Sequence, residues 1–294
     1  MLKQPLHFHK TRLAPTPSGF LHLGNVLSFA ITATLARESG ASMLLRIDDL
    51  DQARVDRLFI QDIFDTLDFL QMPWDEGPRN VNEFEEAYSQ LHRVGSYQTA
   101  LNQLAAEKKV FACTCSRKQL LNAGVCNCIK RQLPLSTENA AWRLIADNNR
   151  ELEVKNINDK TIRAVLPEEM RHFIVKKKDG YPAYQFTSVI DDLFYGVDLV
   201  VRGEDLWAST LAQHQLAFAL AKDDFNNISF YHHPLLMAPD NCKLSKSSGA
   251  TSIKYLRENG YTRAEIFTLI ANMVGIDDPV SNWQQLGEIL LREE

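Results

Sequence analysis

The chain has no apolar run approaching the roughly 18 residues that span a bilayer, and its opening, MLKQPLHFHK, lacks the apolar block of a secretory leader. Its composition therefore points to no membrane partner and to a reducing, cytoplasmic setting. An excess of positive charge is also missing. With 32 Lys and Arg against 37 Asp and Glu, the net charge is -5, which excludes a protein that coats nucleic acid by bulk attraction and requires a local basic patch for any RNA partner. Two stretches qualify, EKKVFACTCSRK with the nearby IKR, and RHFIVKKKDG, although such stretches are more often simply solvated surface. There is no internal repeat, low-complexity tract or Ser/Gly linker, so the architecture must be read from the order of elements.

The residues present indicate an α/β protein. A 45% apolar content over 294 residues supplies a core for one large or two modest domains. KTRLAP reads as a short strand, followed by a Pro/Gly loop and a helix with Val26, Leu27, Ala30, Ile31, Thr34 and Leu35 on its apolar positions, closed by Gly40. SMLLRID is a nearly continuous apolar run, as in a buried parallel strand, which completes a βαβ unit. Phe59, Ile60, Ile63, Phe64, Leu67 and Leu70 mark a second helix, and more helix is expected between Glu83 and Lys108. The region from about 110 to 180 breaks the rhythm with clustered cysteines and short strand-like runs, which suggests an inserted subdomain. Helix, strand, helix and strand then follow through YQFTSVIDDLFYGVDLVVRGED, TLAQHQLAFALA and FYHHPLLMA. Thr262 and Glu265 have the spacing of a capping box that opens a helix with Ile266, Leu269, Ile270 and Met273.

Three clusters carry chemistry. In GFLHLGNVLSFA, a glycine-containing loop runs into a helix start, where free N–H groups and the positive dipole end favour phosphate. His22 and Asn25 would add donors there, and Gly24 would let a nucleotide ring approach the backbone. Alone, this pattern also fits an ordinary helix start. The second cluster, NCKLSKSSGA, sets Lys243 and Lys246 among Ser245, Ser247 and Ser248 in a strongly cationic loop suited to a polyphosphate. In the third, Cys113, Cys115, Cys126 and Cys128 form two close pairs within CTCSRKQLLNAGVCNC. Four thiolates at that spacing suit one tetrahedral Zn2+, whereas disulfides fit poorly with a reducing setting and a strained Cys-x-Cys ring. Cys242 has no partner in sequence and receives no role.

Taken together, His22-Leu23-Gly24-Asn25 and Lys243-Leu244-Ser245-Lys246-Ser247 resemble the paired His-Ile-Gly-His and Lys-Met-Ser-Lys-Ser signatures of class I aminoacyl-tRNA synthetases. Asn25 replaces the second histidine, a position at which the glutamate branch commonly varies. TRLAPTPSG, LRIDDLD and VVRGEDL are similar to further segments of that glutamyl branch. The resemblance implies a Rossmann-type catalytic domain split by an insertion. Residues 1–108 and 181–250 would be its two halves, 109–180 a zinc-containing, acceptor-binding α+β subdomain, and 251–294 a short helical C-terminal region.

The resemblance also implies site roles. ATP would be held by His22, Gly24, Lys243, Ser245, Lys246 and Ser247, with His22, Gly24, Asn25, Lys243 and Lys246 serving catalysis. Mg2+ would bridge the ATP phosphates, without a dedicated protein site visible in the sequence. Arg12 and Arg202 would bind the side-chain carboxylate of L-glutamate, Tyr184 would line the pocket, and Ala14, Pro15 and Thr16 would form its wall. Asp48 would hold the α-amino group, although it is one methylene shorter than the family's usual glutamate. An arginine fork favours a carboxylate over the uncharged amide of glutamine. Family members often present three cysteines and a tyrosine where this chain has four cysteines.

Only residues 248–294 follow the lysine motif, too few for the anticodon-reading region of a glutamyl-tRNA synthetase. That shortened plan resembles the glutamyl-queuosine tRNA(Asp) synthetases. It implies transfer of glutamate to queuosine in the anticodon loop of tRNA(Asp); a monomer is the expected state, although the sequence does not fix it. A truncated paralogue charging another acceptor, a catalytically idle RNA-binding paralogue and a small-molecule adenylating ligase are the alternatives that the sequence leaves open.

Overall fold

A parallel βαβ unit opens the computed structural model, which describes residues 7–116, 118–119, 126–236 and 252–292. Its strands, in chain order, are β1 (Lys10–Leu13), β2 (Ser42–Leu45), β3 (Val110–Cys113), β4 (Ala141–Leu144), β5 (Glu151–Asn156), β6 (Thr161–Val165), β7 (Ile174–Lys176), β8 (Leu199–Gly203) and β9 (Ser229–His233). The helices of six residues or more are α1 (Leu23–Ser39), α2 (Arg57–Leu70), α3 (Val94–Ala106), α4 (Tyr184–Phe194), α5 (Trp207–Ala219), α6 (Ile253–Glu258), α7 (Arg263–Met273) and α8 (Trp283–Arg292). Two compact units result. The first comprises Met1–His92, Val197–Asp205 and Ser229–Glu294; the second comprises Arg93–Gly196 and Leu206–Ile228. None of the described helices is long and apolar enough to cross a membrane.

In the first unit β1 pairs in parallel with β2, from Lys10 opposite Ser42 to Leu13 opposite Leu45. β8 pairs in parallel with β9, from Leu199 opposite Ser229 to Gly203 opposite His233. The two pairs meet side by side. The backbone N–H groups of His9 and Lys10 donate to the Asp198 carboxylate at 2.8 and 2.9 Å, and Thr11 Oγ1 donates to the Leu199 carbonyl at 2.9 Å. The spatial order is therefore β2, β1, β8, β9. The chain moves outward from β1 to β2 on one side and from β8 to β9 on the other, so the order reverses between β1 and β8. Crevices at such reversals, outside the carboxyl ends of the strands, are where open parallel sheets bind ligands.

Helix α1 lies at the centre of this unit. Its apolar positions lead to the expectation of an amphipathic helix, but Leu23, Val26, Leu27, Phe29, Ala30, Ile31, Ala33 and Leu35 are all buried. Burial extends around the helix because it packs on β1 and β8 and also on α8. Gly40 ends it in the left-handed region at φ 74, where a side chain would be strained. The α1–α8 contact depends on a glycine: a Cβ on Gly287 would stand 1.9 Å from Thr34 Oγ1 and 3.2 Å from the Ala30 carbonyl oxygen. Gly287→Ala is expected to destabilise the first unit by about 1–3 kcal/mol despite alanine's better helix propensity. Thermal unfolding should show a melting point several degrees lower, with part of the loss recovered when Thr34→Ala removes the nearest atom.

The second unit is α+β. β4 pairs antiparallel with both β3 and β7, β5 and β6 form an antiparallel hairpin, and α4 packs on α3 and α5. A buried ionic network joins α4 to the start of α3. Arg93 forks onto Asp191, Nε to Oδ1 at 2.9 Å and Nη2 to Oδ2 at 3.2 Å, and Tyr97 donates its hydroxyl to the same carboxylate at 2.7 Å. Burial, followed by the Asp191 charge, holds the Tyr97 phenol above its ordinary range.

Candidate active site and cysteine cluster

The HLGN stretch folds as a capping box in which histidine takes the position usual for serine or threonine. His22 is the N-cap of α1; its Nδ1 accepts from the Gly24 N–H at 3.1 Å, while Asn25 Oδ1 accepts from the His22 N–H at 3.0 Å. An accepting Nδ1 leaves the proton of the neutral ring on Nε2, so the imidazole is oriented as a donor through that atom. Gly24 has a local steric role that the sequence did not indicate: a Cβ there would lie 3.1 Å from the His22 ring. Asn25 spends its carbonyl oxygen on the cap, which leaves its Nδ2 to donate elsewhere.

The lysine loop residues Lys243, Ser245, Lys246 and Ser247, together with Cys242, lie outside the described residues. The chain re-enters at Ser252, and that point is beside the α1 cap. Ser252 forms an antiparallel bridge with His22, and the Ile253 N–H donates to the Leu21 carbonyl at 2.7 Å. Helix α6 begins there, and Arg257 on it forms an ion pair with the buried carboxylate of Asp62 on α2. Burial raises the Asp62 pKa, with the Arg257 charge opposing the rise.

Arg12 and Arg202 come from β1 and β8, the two strands that flank the switch point. Both are buried, 7% and 4% exposed. Arg12 Nη1 reaches the Val201 carbonyl at 3.4 Å, which sets its guanidinium beside the backbone that carries Arg202. The wall residues follow directly: Ala14 is half-buried, Pro15 buried and Thr16 exposed. Beyond β2 the chain stays alongside them, with Arg46 N donating to Leu13 O at 2.8 Å and Asp48 N to Pro15 O at 2.9 Å. Asp48 is thereby brought to the β1 loop. Its carboxylate is gripped by Arg46, Nε to Oδ1 at 2.8 Å and Nη2 to Oδ2 at 3.2 Å, in a buried pair that sequence reasoning missed. The neighbouring Asp49 serves structure, accepting from Ser89 Oγ at 2.6 Å and Gln90 N at 2.8 Å. Tyr184 lies in the second unit, at the first turn of α4, with 46% of its surface exposed.

The four cysteines converge in the second unit. Cys113 ends β3, Cys115 follows two residues later, and Cys126 and Cys128 return from the far side of the intervening segment. The Sγ separations are 3.4 Å for Cys113 and Cys126, 4.0 Å for Cys115 and Cys126, and 3.5 Å for Cys115 and Cys128. All four sulfurs lie within 4.8 Å of one another. A tetrahedral Zn2+ with Zn–S bonds of about 2.3 Å spaces its sulfurs about 3.8 Å apart, so the set fits that ion. It does not form disulfides, whose bond is about 2.05 Å. Burial pushes the Cys126 thiol up to about 12. Cys128 is brought down to about 7 because hydrogen bonds from Cys115 and the Thr114 backbone overcome the effect of its burial. Part of the basic stretch next to this cluster is spent internally: Lys178 Nζ donates to the Thr114 carbonyl at 2.8 Å, and Lys176 Nζ sits 4.4 Å from the Trp142 ring centre.

Residues 9–282 match the family described as tRNA synthetases class I (E and Q), catalytic domain. A curated relative, glutamate–tRNA ligase 2 of Syntrophus aciditrophicus, is 31% identical over 283 residues, which cover 89% of this chain and 56% of that protein. The glutamyl-Q tRNA(Asp) synthetase of Symbiobacterium thermophilum is 32% identical over 290 residues, covering 91% of this chain and 87% of its own. A crystal structure of a glutamate tRNA ligase from Elizabethkingia meningosepticum aligns with a TM-score of 0.73 at 21% identity, covering 96% of this chain and 64% of that one. That likeness bears on the fold alone. The chain spans a little over half the length of the first glutamate–tRNA ligases that it matches. A parallel sheet with its order reversal between β1 and β8, and a family match running nearly end to end, place this chain in the glutamate and glutamine class I tRNA synthetase family, with that family's catalytic fold.

Proposed function

We propose that the chain activates L-glutamate with ATP and passes the glutamyl group to queuosine in the anticodon loop of tRNA(Asp). The observation that carries the amino-acid assignment is the placement of Arg12 and Arg202 on adjacent parallel strands at the switch point. Two buried guanidinium groups there favour a ligand with a carboxylate side chain. The α-carboxylate of that glutamate would attack the ATP α-phosphate and expel pyrophosphate. The acceptor would then attack the acyl carbon of the adenylate, releasing AMP. The α1 N-terminus, with Nε2 of His22 beside it, supplies donors for the charge that develops on the phosphate. Asp48 would meet the α-amino group with its carboxylate oriented by Arg46. Lys243 and Lys246 would neutralise the leaving pyrophosphate, with Mg2+ carried in on the nucleotide. Cys113, Cys115, Cys126 and Cys128 would hold a structural Zn2+.

For the acceptor, support comes from likeness: the Symbiobacterium protein named for glutamyl-Q tRNA(Asp) synthesis is 32% identical over 91% of this chain. The test is ATP–pyrophosphate exchange over the twenty amino acids, followed by transfer of labelled glutamate to tRNA(Asp) with and without queuosine. Exchange with glutamate alone, needing no tRNA, and label on the queuosine-containing tRNA only, is the expected result. Absence of glutamate-dependent exchange overturns the activation step, and label on a terminal ribose makes the chain a glutamyl-tRNA ligase paralogue. Within the same assay, Lys246→Ala should slow exchange about 100-fold or more, while raising the KM for glutamate far less.

A further inference from the structure

Arg202 stands against a platform built by its neighbouring strand. In the β8–β9 register Arg202 lies opposite His232 and Val200 opposite Phe230. Alternate residues of a strand share a face, so Phe230, His232 and Arg202 occupy the same side of the sheet. The guanidinium carbon of Arg202 is 5.2 Å from the centre of the Phe230 ring. The Phe230 and His232 rings stack in turn, 13° from parallel with centroids 6.1 Å apart. Arg202 and Phe230 are buried and His232 is half-buried.

The chemistry of this platform is selective. A carboxylate beside an arginine occupies the in-plane N–H donors and cancels the charge, whereas an aromatic face holds the cation through its quadrupole and leaves the edge of the plane to other acceptors. Burial, and next the Arg202 charge, bring the His232 pKa down to about 4. At physiological pH the ring is therefore neutral, adding neither a competing anion nor a second cation next to the fork.

We propose that Phe230 and His232 are positioning residues for amino-acid specificity: their stacked rings hold the Arg202 guanidinium by its face and direct its fork at the side-chain carboxylate of the substrate. The inference rests on the reading of Arg202 as a ligand of glutamate. Neither aromatic residue needs to touch the reacting atoms.

Steady-state glutamate-dependent ATP–pyrophosphate exchange on the full chain tests it, with thermal unfolding run alongside. Phe230→Leu removes the ring but not the bulk, and should raise the KM for glutamate about tenfold, with kcat and the KM for ATP moving less than about twofold. Phe230→Tyr keeps the face and should restore the wild-type KM. His232→Glu, which sets a carboxylate beside the fork, should raise the KM for glutamate about a hundredfold while leaving ATP affinity in place. Should Phe230→Leu fail to fold, the half-buried His232 decides, through His232→Glu against His232→Gln. A wild-type protein without glutamate-dependent exchange sinks the functional reading itself. Active wild type with variants that keep the glutamate KM, or that move both substrate KM values together, overturns the platform alone.

Discussion

Arg202→Ala is expected to lower kcat/KM for glutamate about a thousandfold, to the edge of detection in pyrophosphate exchange, while ATP binding stays within about twofold of wild type. Hydrogen bonds to a charged group are worth about 1.5–3 kcal/mol each, and a fork supplies two, so losing it costs about 3–6 kcal/mol, or two to four decades. The α1 cap proposed to hold ATP depends on other contacts, those of His22, Gly24 and Asn25, which is why the two substrates should separate. Arg202→Lys keeps the charge but loses the planar fork, and should fall between wild type and alanine. Glutamine should remain a poor substrate of the wild type, since its amide would present an N–H pair to a donor-only guanidinium. Exchange kinetics together with calorimetric titration of ATP measure both quantities. Wild-type affinity for glutamate in Arg202→Ala would remove the pocket from β8.

The parts of this protein legible in its sequence are those encoded by near neighbours. Thr262 and Glu265 stand three residues apart, and the box they form is present, with Thr262 N donating to Glu265 Oε2 at 2.7 Å. The βαβ pattern of KTRLAP to SMLLRID maps onto β1, α1 and β2 because strand and helix periodicities are local. The cysteine pairs fall close enough in sequence that convergence needs only one return of the chain. What was illegible is non-local or ambiguous in type. Arg46 grips Asp48 within a stretch that reads as strand, and no pattern announces a buried fork between residues two apart. Arg202 meets the Phe230–His232 platform only because β9 comes beside β8, although the two strands are separated in sequence by α5. The sequence leads to the expectation of His22 as a phosphate donor at a helix start, whereas its role as a cap accepting from Gly24 follows from backbone geometry that the letters do not spell. Arg12 and Arg202 were named by resemblance, and their placement on neighbouring strands at the sheet's order reversal emerged only from the strand order β2, β1, β8, β9.

Removal of the metal should have the other large effect, and it should divide the two half-reactions. Among the described residues, the apolar cluster at the cysteine site consists of Phe111, Cys113 and Cys128, with Cys115, Cys126 and Ile129 packed against it. Most of that cluster would itself be sulfur ligand. A cluster of this size adds little against conformational entropy, which is about 1–2 kcal/mol per ordered residue for the backbone alone. Structural Zn2+ supplies about 10–16 kcal/mol in small domains of this kind. The purified chain should contain about one Zn2+ per molecule, and Cys113→Ala or Cys128→Ala should abolish stoichiometric binding in elemental analysis. The chelated wild type and both variants should become sensitive to proteolysis between β3 and β4 and lose transfer to tRNA. Pyrophosphate exchange with glutamate should persist, because Arg12, His22 and Arg202 belong to the first unit, whereas the four sulfurs belong to the second. A chain that keeps its protease resistance and its transfer rate after complete chelation would show that the cysteines are held by packing alone, and that a metal has no part in ordering the region proposed to bind the acceptor.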